Sequence, residues 1–169
     1  MSGTKQDILN PNYWRDRLET SRTLHHAIFK CPTDEWKRIA TKHKQILANL
    51  FEGNPDDSVL DVGCGWGRLL ELMPSRWEGE YVGIDISPDF LGLAEQLHPT
   101  RNFLEGEFLG ALKYRPTNGY DWAVMISIRP MMLRNLPCSH WEQVETELKR
   151  VASKLLYLEY DENDGGAIE

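Results

Sequence analysis

The chain has 169 residues, 41% of them apolar, which is enough for one domain with a real core and too few for two. Nineteen basic residues stand against 26 acidic ones, a net charge of −7, which argues against a protein that coats nucleic acid. No apolar run approaches the roughly 18 residues of a membrane span, and the opening MSGTKQDILNPNYW has no apolar signal-peptide core.

Asn10-Pro11 reads as a helix start, and a helix is expected from about residue 12 to 29, broken by Cys31-Pro32. A second helix follows over about 33–51, with Trp36, Ile39, Ala40, Ile46, Leu47 and Leu50 on one stripe. Gly53 and Pro55 end it. These two helices form an N-terminal cap over residues 1–55. Residues 1–50 carry nine Lys/Arg against five Asp/Glu, whereas 51–169 carry ten against twenty-one. A basic cap thus precedes an acidic body.

Beyond residue 55 the pattern changes. Strand-like runs at Ser58–Val62, Glu80–Asp85, Arg101–Leu104, Asp121–Ser127 and Lys154–Tyr160 alternate with helices. This predicts an α/β core over residues 56–160, doubly wound, with a mainly parallel five-stranded sheet and right-handed crossovers. Ser139-x-x-Glu142 reads as a capping box that opens a helix to about Ser153. The tail 161–169 is acidic and Gly-rich and reads as a flexible end of the single domain 1–169.

The sharpest local feature is Val59-Leu60-Asp61-Val62-Gly63-Cys64-Gly65-Trp66-Gly67. A strand runs into three alternating glycines and then into a helix. Glycine permits the tight turn and a close approach of backbone to ligand, and the helix start offers N–H donors. Asp85, which ends the second strand, lies 18 residues after Gly67. An acid at that strand tip accepts hydrogen bonds from both hydroxyls of a ribose. A dinucleotide site of the GxGxxG type would need glycine at position 68, where Arg68 stands. Asp61 repels a pyrophosphate and welcomes a cation. Asp61, Asp85 and Glu107 together point to a ligand with a ribose and positive charge, as in S-adenosylmethionine (SAM).

The segment Leu60–Gly67 resembles motif I of the class I SAM-dependent methyltransferases, which are Rossmann-like. Val82-Gly83-Ile84-Asp85-Ile86-Ser87 is similar to the acidic second-strand motif of that superfamily. Phe103–Phe108 and Tyr120–Ser127 resemble the segments around its third and fourth strands. The resemblance covers about residues 57–160. It implies that Gly63, Gly65 and Gly67, with Cys64 between them, line the methionine and ribose, and that Asp61 orders the amino end. It implies that Asp85 holds the ribose hydroxyls, Ile86 packs on the adenine, Glu107 accepts from the adenine amino group with Phe108 beside it, and Ser127 lies near the methyl centre. Tyr13-Trp14-Arg15-Asp16-Arg17 resembles the segment that folds over the cofactor in small-molecule members, with Trp14 excluding water and Arg17 meeting the SAM carboxylate.

Two departures from the superfamily stand out. Ser127-Ile128-Arg129-Pro130 is not the Asn/Asp-Pro-Pro-aromatic signature of enzymes that methylate amino groups of DNA bases or glutamine. Arg129 is a candidate for an anionic substrate group. The usual last two strands also have no residues to form them, which leaves the fifth strand as an exposed edge open to a homo-oligomer contact. His25-His26 and His43 lack partners at ligand spacing, so no metal is expected. Three widely spaced cysteines, Cys31, Cys64 and Cys138, fit free thiols in a reducing, cytoplasmic setting.

The expected activity is methyl transfer from SAM to a small-molecule acceptor, with no catalytic side chain assigned. The alternative is a non-catalytic SAM-binding module or subunit that works through a partner or an oligomer.

Overall fold

The fold was read from a computed structural model, which describes residues 6–21, 23, 24, 27, 33–159, 167 and 168. Helix α1 spans Pro11–Thr20, with the Asn10 side chain accepting from the Asn12 N–H and Pro11 at its first position. It ends earlier than the expected residue 29. Ser21 is extended (φ −96°, ψ 143°), and the Thr20 hydroxyl turns back to the Asp16 carbonyl, a local bond that competes with helix continuation. Helix α2 runs Thr33–Phe51, close to the expected span.

The remaining elements in chain order are β1 (Val59–Val62), α3 (Arg68–Leu72), β2 (Tyr81–Asp85), α4 (Pro88–Leu97), β3 (Asn102–Glu105), α5 (Phe108–Lys113), β4 (Tyr120–Ile126), α6 (Arg129–Asn135), α7 (Cys138–Val151), β5 (Ala152–Leu158) and β6 (Ala167–Ile168). The sheet order is β3-β2-β1-β4-β5-β6, with β1 to β5 parallel. The chain therefore crosses outward from β1 in one direction and returns to lay β4 on its other side. The crevice above the carboxyl ends of β1 and β4 is the switch point where α/β sheets of this kind bind ligands.

Side chains alternate across the strands and build two cores. On one face Leu60, Val62, Val82, Ile84, Ala123, Met125, Leu155 and Tyr157 pack against Phe90 of α4, Phe108 and Leu112 of α5, Met132 of α6, and Trp141, Val144 and Leu148 of α7. Ile8 and Trp14 of the N-terminal segment join this face. On the other face Val59, Tyr81, Trp122, Val124, Ile126 and Leu156 pack against Ala40, Leu47 and Phe51 of α2 and Leu69 and Leu72 of α3. The two N-terminal helices thus cover opposite faces. Phe51 anchors α2 against Trp122 and Trp77, with ring centroids 5.5 and 6.3 Å away. His43 sits on the same apolar stripe, buried, with Nε2 3.2 Å from the Glu159 carbonyl. Burial pushes its pKa down to about 4, so it is neutral at physiological pH.

Two expectations are corrected. Ser139-x-x-Glu142 is not a capping box: α7 opens at Cys138 with Pro137 as its N-cap and no side-chain cap, which places Ser139 inside the helix. The tail also returns to the sheet. Ala167 and Ile168 pair antiparallel with Tyr157 and Leu156, so the edge of β5 expected to be exposed is covered there. Backbone pairing of an edge strand needs only two residues in register and leaves almost no sequence signal.

Gly83, in the middle of β2, has no room for a side chain. A Cβ there would lie 2.8 Å from Cys64 Sγ, 2.9 Å from Phe103 Cδ1 and 3.0 Å from the Tyr81 hydroxyl. Gly83→Ala is expected to destabilise the fold by about 1–3 kcal/mol through overpacking, measured as a lower urea midpoint at unchanged slope.

Candidate functional site

The glycine turn leaves β1 with Gly63, Gly65 and Gly67 all at positive φ (79°, 54° and 82°), a conformation that favours glycine. The N–H groups of Gly63 and Cys64 donate to the Ile84 carbonyl at 2.8 and 3.0 Å, which fastens the turn to β2. Asp85, at the end of β2, then clamps it from the other side. Its Oδ2 accepts from the Gly65 N–H at 2.8 Å and its Oδ1 from the Ser87 N–H at 2.9 Å. Ser87 in turn caps α4 by accepting from the Phe90 N–H. Burial raises the Asp85 carboxyl above the usual carboxylate range, and the N–H donors from Ser87, Gly65 and Ile86 oppose the shift.

Asp61 lies within β1, opposite Gly83 of β2. It is 1% exposed and accepts from the Tyr81 hydroxyl at 2.8 Å. Burial raises its pKa to about 7; the Tyr81 bond opposes this, the charge of Asp85 adds to it, and Arg68 opposes it least. The Cys64 thiol is buried and pushed up by burial and by both carboxylates, which keeps it protonated and a filler of the turn.

Two hollows meet at Gly63 and Ile128. The larger cleft is lined by Gly63, Asp85, Ile86, Phe90, Phe108, Ser127 and Ile128 from the core, by Ile8, Leu9, Trp14 and Arg17 from the N-terminal segment, and by Met131 and Arg134 from α6. The smaller one is lined by Asp61, Gly63, Cys64, Gly65, Arg68, Ile126 and Ile128. Ile128 is the wall between them, since a Cβ on Gly63 would lie 2.5 Å from its Cδ1.

Most of the expected residues converge. Gly63, Asp85, Ile86, Phe108, Ser127 and Trp14 share the larger cleft, and Asp61, Cys64 and Gly65 share the smaller. Trp14 is fixed by its indole N–H on the Ile8 carbonyl at 3.0 Å and by the edge of Tyr13. Ser127 carries a strained left-handed φ of 61° at the end of β4. Its buried hydroxyl has no hydrogen-bond partner among the described residues. A strained residue with an unsatisfied hydroxyl at a cleft wall is poised for a ligand.

Four expected residues lie outside the two hollows or make other contacts in the fold. Gly67 borders neither hollow; a Cβ there would meet His98 at 2.6 Å, so its glycine serves the turn and the packing of His98. Glu107 does not line the cleft either. It caps α5 by accepting from the Gly110 N–H at 3.1 Å, and its other oxygen lies 3.5 Å from His140. Arg129 stacks over Tyr157 and Trp141, with centroids 5.1 and 5.7 Å away, a packing role. Arg17 borders the cleft but donates to the Ala27 carbonyl and to the Tyr13 hydroxyl. His25, His26 and Cys31 lie outside the described residues.

Ile8, Leu9, Phe90, Ile128, Met131 and Arg134 are cleft residues absent from the expected set. Ile128, Met131 and Arg134 recur every three residues on or beside α6, whose first turn holds Pro130, a signal the sequence did offer. Among the described residues no group of three or more His, Cys, Asp or Glu gathers as a metal site, and no helix is long and apolar enough to cross a membrane.

The methyltransferase domain family matches residues 59–154. Over 97 residues the chain is 32% identical to a demethylmenaquinone methyltransferase of Chlorobaculum tepidum, covering 56% of this chain and 38% of that one. Over 139 residues it is 31% identical to a tRNA U34 carboxymethyltransferase of Shewanella piezotolerans, covering 76% of this chain and 38% of that one. The chain thus spans well under half the length of these relatives. Its fold is similar to that of the PH0226 protein from Pyrococcus horikoshii OT3, at a TM-score of 0.59 and 21% identity, covering 81% and 66% of the two chains.

Proposed function

The chain belongs to the methyltransferase domain family, and from that premise we propose that it takes a methyl group from SAM and passes it to a small-molecule acceptor. The observation that carries this reading is Asp85. Two backbone N–H groups fix its carboxylate at the switch point, in a cleft it shares with the glycine turn. A carboxylate has about four acceptor positions, so the backbone donors leave capacity for a ribose hydroxyl.

The residues present fit SAM. Ile86 and Phe108 offer apolar surface for an adenine, Gly65 has open space where a side chain would stand, and Asp61 supplies negative charge at the far end. When bound, SAM supplies a methyl group on a sulfonium, open to in-line attack. The chain's own contribution is placement. Trp14 and the segment before it wall the cleft from water, and Asp85 holds one end in register. Positioning of this kind supplies up to roughly 7–11 kcal/mol of barrier reduction in favourable cases.

The acidic body disfavours nucleic acid as acceptor, and the partly covered β5 edge removes one surface for self-association. Cys64 and Cys138 are free thiols, which supports a reducing, cytoplasmic setting. Isothermal calorimetry tests the cofactor reading directly. SAM and its demethylated product should each bind saturably at one site per chain, and binding of neither would overturn it. A screen of small acceptors for methyl transfer then tests the activity, and binding without any turnover would favour the non-catalytic module.

A further inference from the structure

We propose that the larger cleft takes as its methyl acceptor an apolar molecule bearing a carboxylate, and that Arg134 of α6 is the residue that selects the carboxylate. The inference rests on the SAM reading above and names the class of acceptor, which that reading leaves open.

The cofactor reading uses cleft residues from the glycine turn, the tip of β2 and the start of α5. Gln6, Ile8, Leu9, Pro130, Met131 and Arg134 also line the cleft, and they come from just two pieces of chain, the N-terminal segment and α6. These two pieces are tied together. The Gln6 N–H donates to Asn135 Oδ1 at 2.8 Å, and Asn135 Nδ2 donates to the Met131 carbonyl at 2.8 Å. The Gln6 side chain accepts from the Tyr13 hydroxyl at 2.6 Å, which fastens the segment to α1. The result is a built wall, apolar through Ile8, Leu9, Pro130 and Met131, that ends in one cation.

Arg134 folds back toward the start of its helix, where Nε donates to the Pro130 carbonyl at 3.2 Å. That bond orients the guanidinium beside a lining residue and uses one of its several N–H donors. The terminal nitrogens have no partner among the described residues, and no carboxylate there lies within ion-pair distance of them. Asp85 is the one acid among the residues that line the cleft, and it holds the Gly65 and Ser87 N–H groups. Arg17, the other cation of the cleft, donates to the Ala27 carbonyl and the Tyr13 hydroxyl. Arg129, the residue the sequence offered for an anionic group, stacks over Tyr157 and Trp141 instead. The two terminal nitrogens of one guanidinium match one carboxylate in a bidentate pair. A dianionic phosphate would exceed a single cation. Arg134 is exposed at the rim, so the anion keeps part of its water and avoids the cost of a buried ion pair, while the apolar wall takes the rest of the molecule.

The test is calorimetric titration of octanoate, octanamide and octyl phosphate into protein saturated with the demethylated product of SAM, for wild type, Arg134→Gln and Arg134→Lys. Wild type should prefer octanoate over octanamide by about 5- to 30-fold, modest for a charge-assisted contact because the rim is exposed. Raising the salt concentration should shrink that preference. In Arg134→Gln it should fall below about twofold, and Arg134→Lys should keep only part of it, since an ammonium lacks the bidentate fork. An arginine with a purely structural role would weaken both probes together and keep their ratio, which would overturn the proposal. Equal binding of octanoate and octanamide by wild type, or binding of neither, would overturn it without any variant. Tighter binding of octyl phosphate than of octanoate would assign the rim to a phosphate and overturn it as well. Failure of both SAM and its demethylated product to bind wild type would overturn the cofactor reading itself, whereas normal cofactor binding with any of the contrary results above overturns the acceptor proposal alone.

Discussion

Asp85→Ala is expected to lose SAM binding by at least about 100-fold, the largest effect of any single change in the cleft. Two hydroxyl bonds to an ionised acceptor are worth roughly 1.5–3 kcal/mol each, and every 1.4 kcal/mol is tenfold in affinity. The variant also frees the Gly65 and Ser87 N–H groups that Asp85 now holds, so the turn loses its clamp as well as its ligand contact. Asp85→Asn separates the two effects. It keeps one acceptor for the turn but loses the charge, and an intermediate loss of affinity is expected. Thermal unfolding should move by only a few degrees in either variant, because burial already disfavours the ionised carboxyl. Retention of wild-type affinity by Asp85→Ala would refute the ribose assignment.

Asp61→Asn should make the protein more stable at pH 8 and a poorer receptor for a cation. Burial pushes the carboxyl up to about 7 in the fold, from an ordinary value of 3.8. A folded pKa above the unfolded one means that the stability held with the protonated form is complete below about pH 4. It is lost progressively as the pH rises through about 7. One pKa unit corresponds to 1.36 kcal/mol, so the full cost above pH 7 is at most about 4 kcal/mol. Asparagine removes that cost and still accepts from the Tyr81 hydroxyl. Removing the charge beside Arg68 works against the gain, but burial is the largest cause of the shift and Arg68 the smallest, so a net gain remains. Urea denaturation of both proteins at pH 5 and pH 8 measures it, with the larger difference expected at pH 8. Cofactor affinity should move the other way. In wild type it should fall by up to about tenfold for each pH unit below 7, whereas in Asp61→Asn it should be weak and nearly flat. A less stable Asp61→Asn at pH 8 would show that the carboxylate is better solvated in the fold than its burial implies.

These two carboxylates sit on one turn and do different work. Asp85 gives up stability to hold hydrogen-bond acceptors open in the cleft. Asp61 gives up stability to place negative charge in the smaller hollow. Tyr81 and Gly83 supply the second layer beneath: the Tyr81 hydroxyl orients Asp61, and the missing side chain at Gly83 leaves that hydroxyl its room. The N-terminal segment completes the cleft from outside, with Trp14 anchored by its indole N–H and by its T-shaped contact with Tyr13.

Sequence by itself determined the elements whose signals are local. The glycine turn, the acid at the tip of β2 and the alternation of strand and helix depend on backbone conformation and period, and these are written residue by residue. The five parallel strands accordingly fall within two residues of their expected bounds. The α2 stripe was legible for the same reason, apart from His43, whose polarity hid a position that burial made neutral. Tertiary structure alone decided what each side chain meets. Glu107 and Arg129 carry the charges a ligand would want, and in the fold the first caps α5 and the second stacks over Tyr157. Gly67 looked like its two neighbours in the motif, yet it faces His98. Arg68 read as the residue that breaks a dinucleotide pattern, whereas in the fold it is buried and stacks over Trp36 of α2. The difference is one of range. Turns and periods are fixed by neighbours in the chain. Whether a charge is free for a ligand depends on partners dozens of residues away, and only packing brings those together.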